Sequence, residues 1–264
     1  MSHDMAHRMK SDGANQLIEA VEKTTGFKVI VDTIEGISDD AQMISARPEM
    51  PIHSIRVNKT KLPYSDYIVA AQCAMLIRLW SNPMRIPVFS PNTDKVHFFS
   101  DRMAKSRPLN KFPAETAFET ARQLAQGLLH QLRSMPIEIL TVRDCRTQCP
   151  DLFDMQTDSV EAYLRLLSEN FAPKIRSIAP DQTWKNSVSM NSAYALNWSG
   201  ISGSTLPMMP YQSAGFADTA TALLAEINTR PDKTSEAYTQ IVDAWAGRLG
   251  LNTTYKWEYR NGHQ

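Results

Sequence analysis

The chain has no excess of charge of either sign: 28 Lys and Arg residues balance 28 Asp and Glu residues among 264. Nucleic-acid binding draws much of its affinity from displaced counterions, so a neutral chain gives no general ground for it. The densest cationic stretch, Arg102, Lys105, Arg107 and Lys111, is interrupted by Pro108 and reads as a solvated loop. Long apolar runs are also lacking. The longest, residues 67–79, would rise only about 20 Å as a helix, too short for a bilayer. Residues 1–10 hold no apolar core of the kind a secretory signal requires and read as frayed. Three cysteines, Cys73, Cys145 and Cys149, cannot all pair within the chain, which fits a reducing, cytoplasmic setting. No repeat at a solenoid period and no low-complexity tract is visible.

What is present is an ordinary globular composition, with 42% hydrophobic and 21% charged residues and enough length to bury a proper core. Residues 14–24 place Leu17, Ile18 and Val21 on one helical face and stop before Gly26. Strand signals follow at 27–34, 43–46 and 53–57. The apolar run 67–79 then predicts a helix buried at the centre of the core, capped by Ser65 or Asp66 and closed by Pro83. Further on, the pattern predicts a strand at 96–99, a helix from Pro113 to about Arg133, and a strand at 137–142. Helical periodicity dominates the remainder, at 159–171, 187–198, 217–228 and 235–249, before a short aromatic strand at 255–259. The fold class is therefore α+β: a small mixed sheet on a buried central helix, followed by a mainly helical C-terminal half. The boundary falls near residue 148, giving units 1–148 and 149–264 or one continuous core.

The central helix lacks ionisable groups where a catalytic helix would carry them. Its entry segment, Ile55-Arg-Val-Asn-Lys-Thr-Lys-Leu-Pro63, leads from a strand into the apolar run. This segment, with the order helix, strands, buried helix, long helix over roughly residues 14–134, resembles the ImmA/IrrE-type metallopeptidases. That resemblance implies a zincin-like scaffold, in which a His-Glu-x-x-His helix binds zinc and the Glu acts as general base. Superposed by the apolar pattern, the motif falls on Ala71-Gln72-Cys73-Ala74-Met75. Ala71 and Met75 then stand where metal ligands would be, and Gln72 where the base would be. The resemblance implies a scaffold that cannot hold zinc in the usual way, with a regulatory, phage- or mobile-element-related role in bacteria.

Other chemistry has weaker signals. Glu115 and Glu119 lie one turn apart on the helix after Pro113, and with His97 or His130 they offer an alternative metal site. Cys145 with His97 or His130 offers an alternative nucleophile, since such pairs assemble in space. Spacing of four between Cys145 and Cys149 does not match a Cys-x-x-Cys redox or zinc motif. The proline-stiffened Leu206-Pro-Met-Met-Pro-Tyr211 puts Met208, Met209 and Tyr211 forward as an adaptable binding surface or a cover over the core. The leading expectation is a catalytically silent, cytoplasmic interaction protein with no cofactor and a protein partner, a second copy included. The rival is a hydrolase built on the alternative residues.

Overall fold

Ser11 opens the first helix because its hydroxyl accepts the backbone N–H of Ala14, at 3.1 Å, and so satisfies one of the free amides. The computed structural model describes residues 9–37 and 39–262. Most of the expected frayed start lies outside them, while Met9 packs into the core. Helix α1 (Asp12–Thr25) buries Leu17 and Val21 and ends at Gly26, whose φ of 77° suits a residue without Cβ. Strands β1 (Lys28–Ile34), β2 (Ala41–Ile44) and β3 (Ile52–Asn58) form one sheet in the order β1-β3-β2. β1 runs parallel to β3 and β2 antiparallel to it, which leaves β2 at an edge.

The apolar run becomes α2 (Ser65–Leu79), which buries Ile68, Val69, Cys73 and Leu76. Each such aliphatic side chain contributes ~1.5–3 kcal/mol on burial. The expected cap is not used, because a 3-10 turn over Lys59–Tyr64 leads directly into the helix. Asp66 instead accepts the Ser11 backbone N–H at 2.7 Å, tying the start of α1 to α2. The helix ends before Pro83 is reached.

Three expectations fail in the next segment. The strand expected at 96–99 is part of α3 (Thr93–Ala104), where Val96, Ser100 and Met103 are buried at helical spacing and Asn92 caps the open amides. A strand unforeseen in the sequence, β4 (Ile86–Pro91), precedes it. Its two prolines mask it, yet among the described residues β4 has a partner strand on one side only and can spare their missing N–H groups. The expected helix 113–133 and strand 137–142 are one element, α4 (Ala114–Gln148). Pro136 and a branched apolar run mimic a strand, but burial on several faces, including Leu132, Met135, Ile139 and Val142, overrides local propensity.

The C-terminal half comprises α5 (Phe153–Ser168), α6 (Pro173–Ile178), α7 (Asp181–Ser202), α8 (Met209–Ser213), α9 (Ala217–Asn228) and α10 (Ser235–Leu249). It closes with β5 (Tyr255–Arg260), which pairs antiparallel with β4. Helix accounts for 66% of the chain and the sheets hold two and three strands, so the α+β class with a helical second half holds. The halves interlock. Arg78 of α2 pairs with Asp144 of α4 at 2.6 Å, and Lys233 from the loop before α10 reaches the same carboxylate at 2.8 Å. Arg260 of β5 donates to the carbonyl of Ala46 at 2.8 Å, and the buried apolar residues of both halves form one cluster.

Candidate functional site: a cleft across the central helix

Four half-buried residues of α2, Ala71, Gln72, Met75 and Leu79, form a stripe at helical spacing that leaves the core. They are the floor of a cleft of about 1210 Å³. That exceeds the ~300–1,000 Å³ of a small-molecule pocket and suits a chain segment. One wall is α4, through Gly127, Gln131, Ser134 and Glu138. A Cβ added at Gly127 would meet nothing within 4 Å, so this glycine widens the cleft. Tyr163 of α5 continues the wall, and residues 39–45, including all of β2, form the rim.

The five positions aligned with the zinc motif therefore divide. Ala71, Gln72 and Met75 line the cleft, while Cys73 and Ala74 are buried behind them. Among the described residues nothing hydrogen-bonds the Gln72 amide, and no three His, Cys, Asp or Glu side chains gather as a metal site.

Glu138 is the residue the sequence reading missed. It was hidden inside the expected strand 137–142; as part of α4 it faces the cleft. Burial pushes its carboxyl up to about 7, against the hydrogen bonds of Ser134 and Tyr163, and the charges of Asp40 and Asp39 push the same way as burial. Among the described residues no Lys, Arg or His forms an ion pair with it. Its surroundings are phenolic: Tyr67, Tyr163, Tyr194 and Tyr238 all line the cleft and all feel its charge. Burial raises each phenol above its ordinary value, so all four stay neutral. Tyr163 and Tyr194 meet edge to face at 5.4 Å, and the Tyr238 hydroxyl donates to the Arg133 carbonyl at 2.8 Å. A lone carboxylate in the apolar run 135–142 was the available signal.

Among the described residues the alternative metal ligands do not gather as a site. Glu115 is exposed at the start of α4, and Glu119 is held by Arg122 at 2.7 Å. His97 packs its ring against Phe118 at 5.1 Å and does not line the cleft. His130 does line it, near the mouth, with burial and Arg133 holding its pKa below the ordinary 6.5. Cys145 is buried, and burial raises its thiol well above 9.0; Cys149 and Cys73 rise to about 11 and about 12. A nucleophilic cysteine needs the opposite shift. Of the proline-stiffened segment, Met208 and Tyr211 are buried and serve the core, which leaves Met209 exposed. The cations Arg102, Lys105, Arg107 and Lys111 are all exposed. Among the described residues no helix is long and apolar enough to cross a membrane. Comparisons with protein-family models, curated proteins and solved structures found no match to this chain.

Proposed function

We propose that this protein works by binding an extended segment of a protein partner in the cleft, without turnover at a metal. The observation that carries this reading is the floor of the cleft: Ala71, Gln72 and Met75 offer one amide, one thioether and a methyl, none suited to activating water on zinc. The rim supports it. β2 pairs with β3 on one side, and among the described residues no strand covers its other edge. Such an edge presents free backbone groups to a strand-like ligand, with side-chain pockets beside it for specificity. We read the succession of helix, strands and buried helix as a zinc-peptidase-like scaffold without zinc ligands, into which β4 and α3 are inserted before the long α4. A cytoplasmic, regulatory role, including one in a phage or mobile element, follows from that reading.

Gly127→Trp tests it, because Gly127 is exposed on the cleft wall and a Cβ there meets nothing within 4 Å. Octapeptide pools are titrated against wild type and variant by fluorescence anisotropy, with melting curves to confirm the fold. Binding by wild type that falls at least about tenfold in the variant supports the reading. Binding that the variant retains, or no binding by wild type, contradicts it. Stoichiometric zinc in freshly purified, dialysed protein would contradict it as well.

A further inference from the structure

The cleft has a chemical polarity that its floor does not explain. At the Glu138 end the groups acting most strongly on the carboxyl are two hydroxyls, of Ser134 and Tyr163, and two carboxylates, of Asp40 and Asp39. No cation is among them. Lys61 reaches Asp40 at 2.9 Å, and among the described residues none of the cations that line the cleft, Arg47, Arg133 and Arg260, forms an ion pair with Glu138. Arg260 is fixed to Ala46 and Ser45, Arg47 lies beside Glu49 at 3.6 Å, and Arg133 lies beside His130 at 3.4 Å. A carboxyl of this kind in a wall of neutral tyrosine rings is a poor resident by itself. Ring faces and carboxylate become favourable together when a cation enters, through the ring quadrupoles and a charge-assisted hydrogen bond.

We propose that the Glu138 end of the cleft receives a basic side chain, lysine or arginine, of the segment bound along β2. This rests on the binding function above and adds its specificity. The ammonium or guanidinium donates to the Glu138 carboxylate, which the Ser134 and Tyr163 hydroxyls support from behind. The stem of the side chain lies among Tyr67, Tyr163 and Tyr194, with Met75 on the floor, where apolar contact replaces water. Because the site works best with Glu138 ionised, binding of a basic segment strengthens as pH rises from 6 to 8. The other titratable and charged groups around the site are Asp39 and Asp40 before β2, Tyr67 of α2, His130 and Arg133 of α4, Tyr163 of α5, Tyr194 of α7 and Tyr238 of α10. The four tyrosines do not titrate in that range, and His130, held below 6.5, loses its charge before most of the change occurs.

The test uses octapeptide pools randomised at every position but one central residue, fixed as lysine, arginine, norleucine or glutamate. Anisotropy is read on wild type, Glu138→Gln and Gly127→Trp at pH 6, 7 and 8. The expected result is a preference for lysine or arginine over norleucine of at least about tenfold at pH 8. That preference disappears in Glu138→Gln, and the norleucine pool gains no affinity in either protein as pH rises. Equal binding of basic and norleucine pools, both blocked by Gly127→Trp, overturns the inference and leaves the binding function standing. A basic preference unchanged in Glu138→Gln also overturns it and places recognition elsewhere. Binding that Gly127→Trp does not affect overturns both.

Discussion

Asp144 and Glu138 stand on the same helix, α4, and meet opposite fates. Asp144 is 8% exposed and is answered twice, by Arg78 from α2 and by Lys233 from the loop before α10. Glu138 faces a cavity large enough for a chain segment and is answered by hydroxyls and further carboxylates, which leaves burial to set its protonation. The first arrangement joins three parts of the chain, and its charges are consumed by the fold. The second leaves a charge unspent at a surface that a ligand can reach. A buried carboxylate is thus informative about function through what fails to neutralise it.

Removing the answer at the paired site has the largest expected effect. Asp144→Asn leaves Arg78, 4% exposed, without a counter-charge, and urea denaturation is expected to show a loss of about 3–5 kcal/mol. A loss near zero would make the pair incidental and erase the contrast with Glu138.

His53 supplies a buried group that, among the described residues, forms no ion pair. Its Nδ1 accepts the Ala46 N–H at 3.1 Å and its other ring nitrogen meets Thr25 at 3.0 Å, and burial with Arg260 lowers its pKa to about 4. The unfolded chain, near 6.5, binds that proton first, so His53 contributes stability that is lost as pH falls from 6.5 to 4. The loss is on the order of 3 kcal/mol by the end of that window. Thermal melts of wild type and His53→Gln across pH 4–7 read it as a slope present in one and flattened in the other.

Glu138→Gln has the smallest and opposite effect. The folded carboxyl holds its proton to about 7 and the unfolded one releases it near 4.5, so the native state loses stability as pH rises through that interval. The variant is expected to be more stable than wild type above pH 7, by about 1–2 kcal/mol once partial exposure is allowed for, and indistinguishable below pH 4.5. A variant less stable at pH 8 would show that the carboxylate is already neutralised in the fold.

Much of the architecture was legible in the sequence. The central helix followed from an apolar run too short for a bilayer, and the bounds of α9 and α10 followed from periodicity and their flanking turns. The terminal strand followed from alternating aromatic and charged residues. The errors share a cause. In β4 and in α4 around Pro136, proline and branched residues spoke for local conformation while tertiary burial and one-sided pairing decided it. A strand over 137–142 takes Glu138 off the face of α4 that lines the cleft. Glu115 and Glu119 on the same helix show their spacing in the sequence but not their exposure. Ala71, Gln72 and Met75 stood out in the sequence only as positions of a degenerate zinc motif on a buried helix; that they line a cleft was not legible, because α4, α5 and β2 complete it. The tyrosines around Glu138 come from α2, α5, α7 and α10, and no local pattern brings four distant segments to one point.

The most direct test is to titrate the Glu138 side-chain carboxyl carbon by 13C NMR, assigned by its disappearance in Glu138→Gln. A midpoint near 7 is expected, the mark of a carboxyl enclosed by the cleft and left without a cation. A midpoint at the ordinary glutamate value of 4.5 would mean that water or a counter-charge already serves it, and the cleft would lose its distinguishing chemistry.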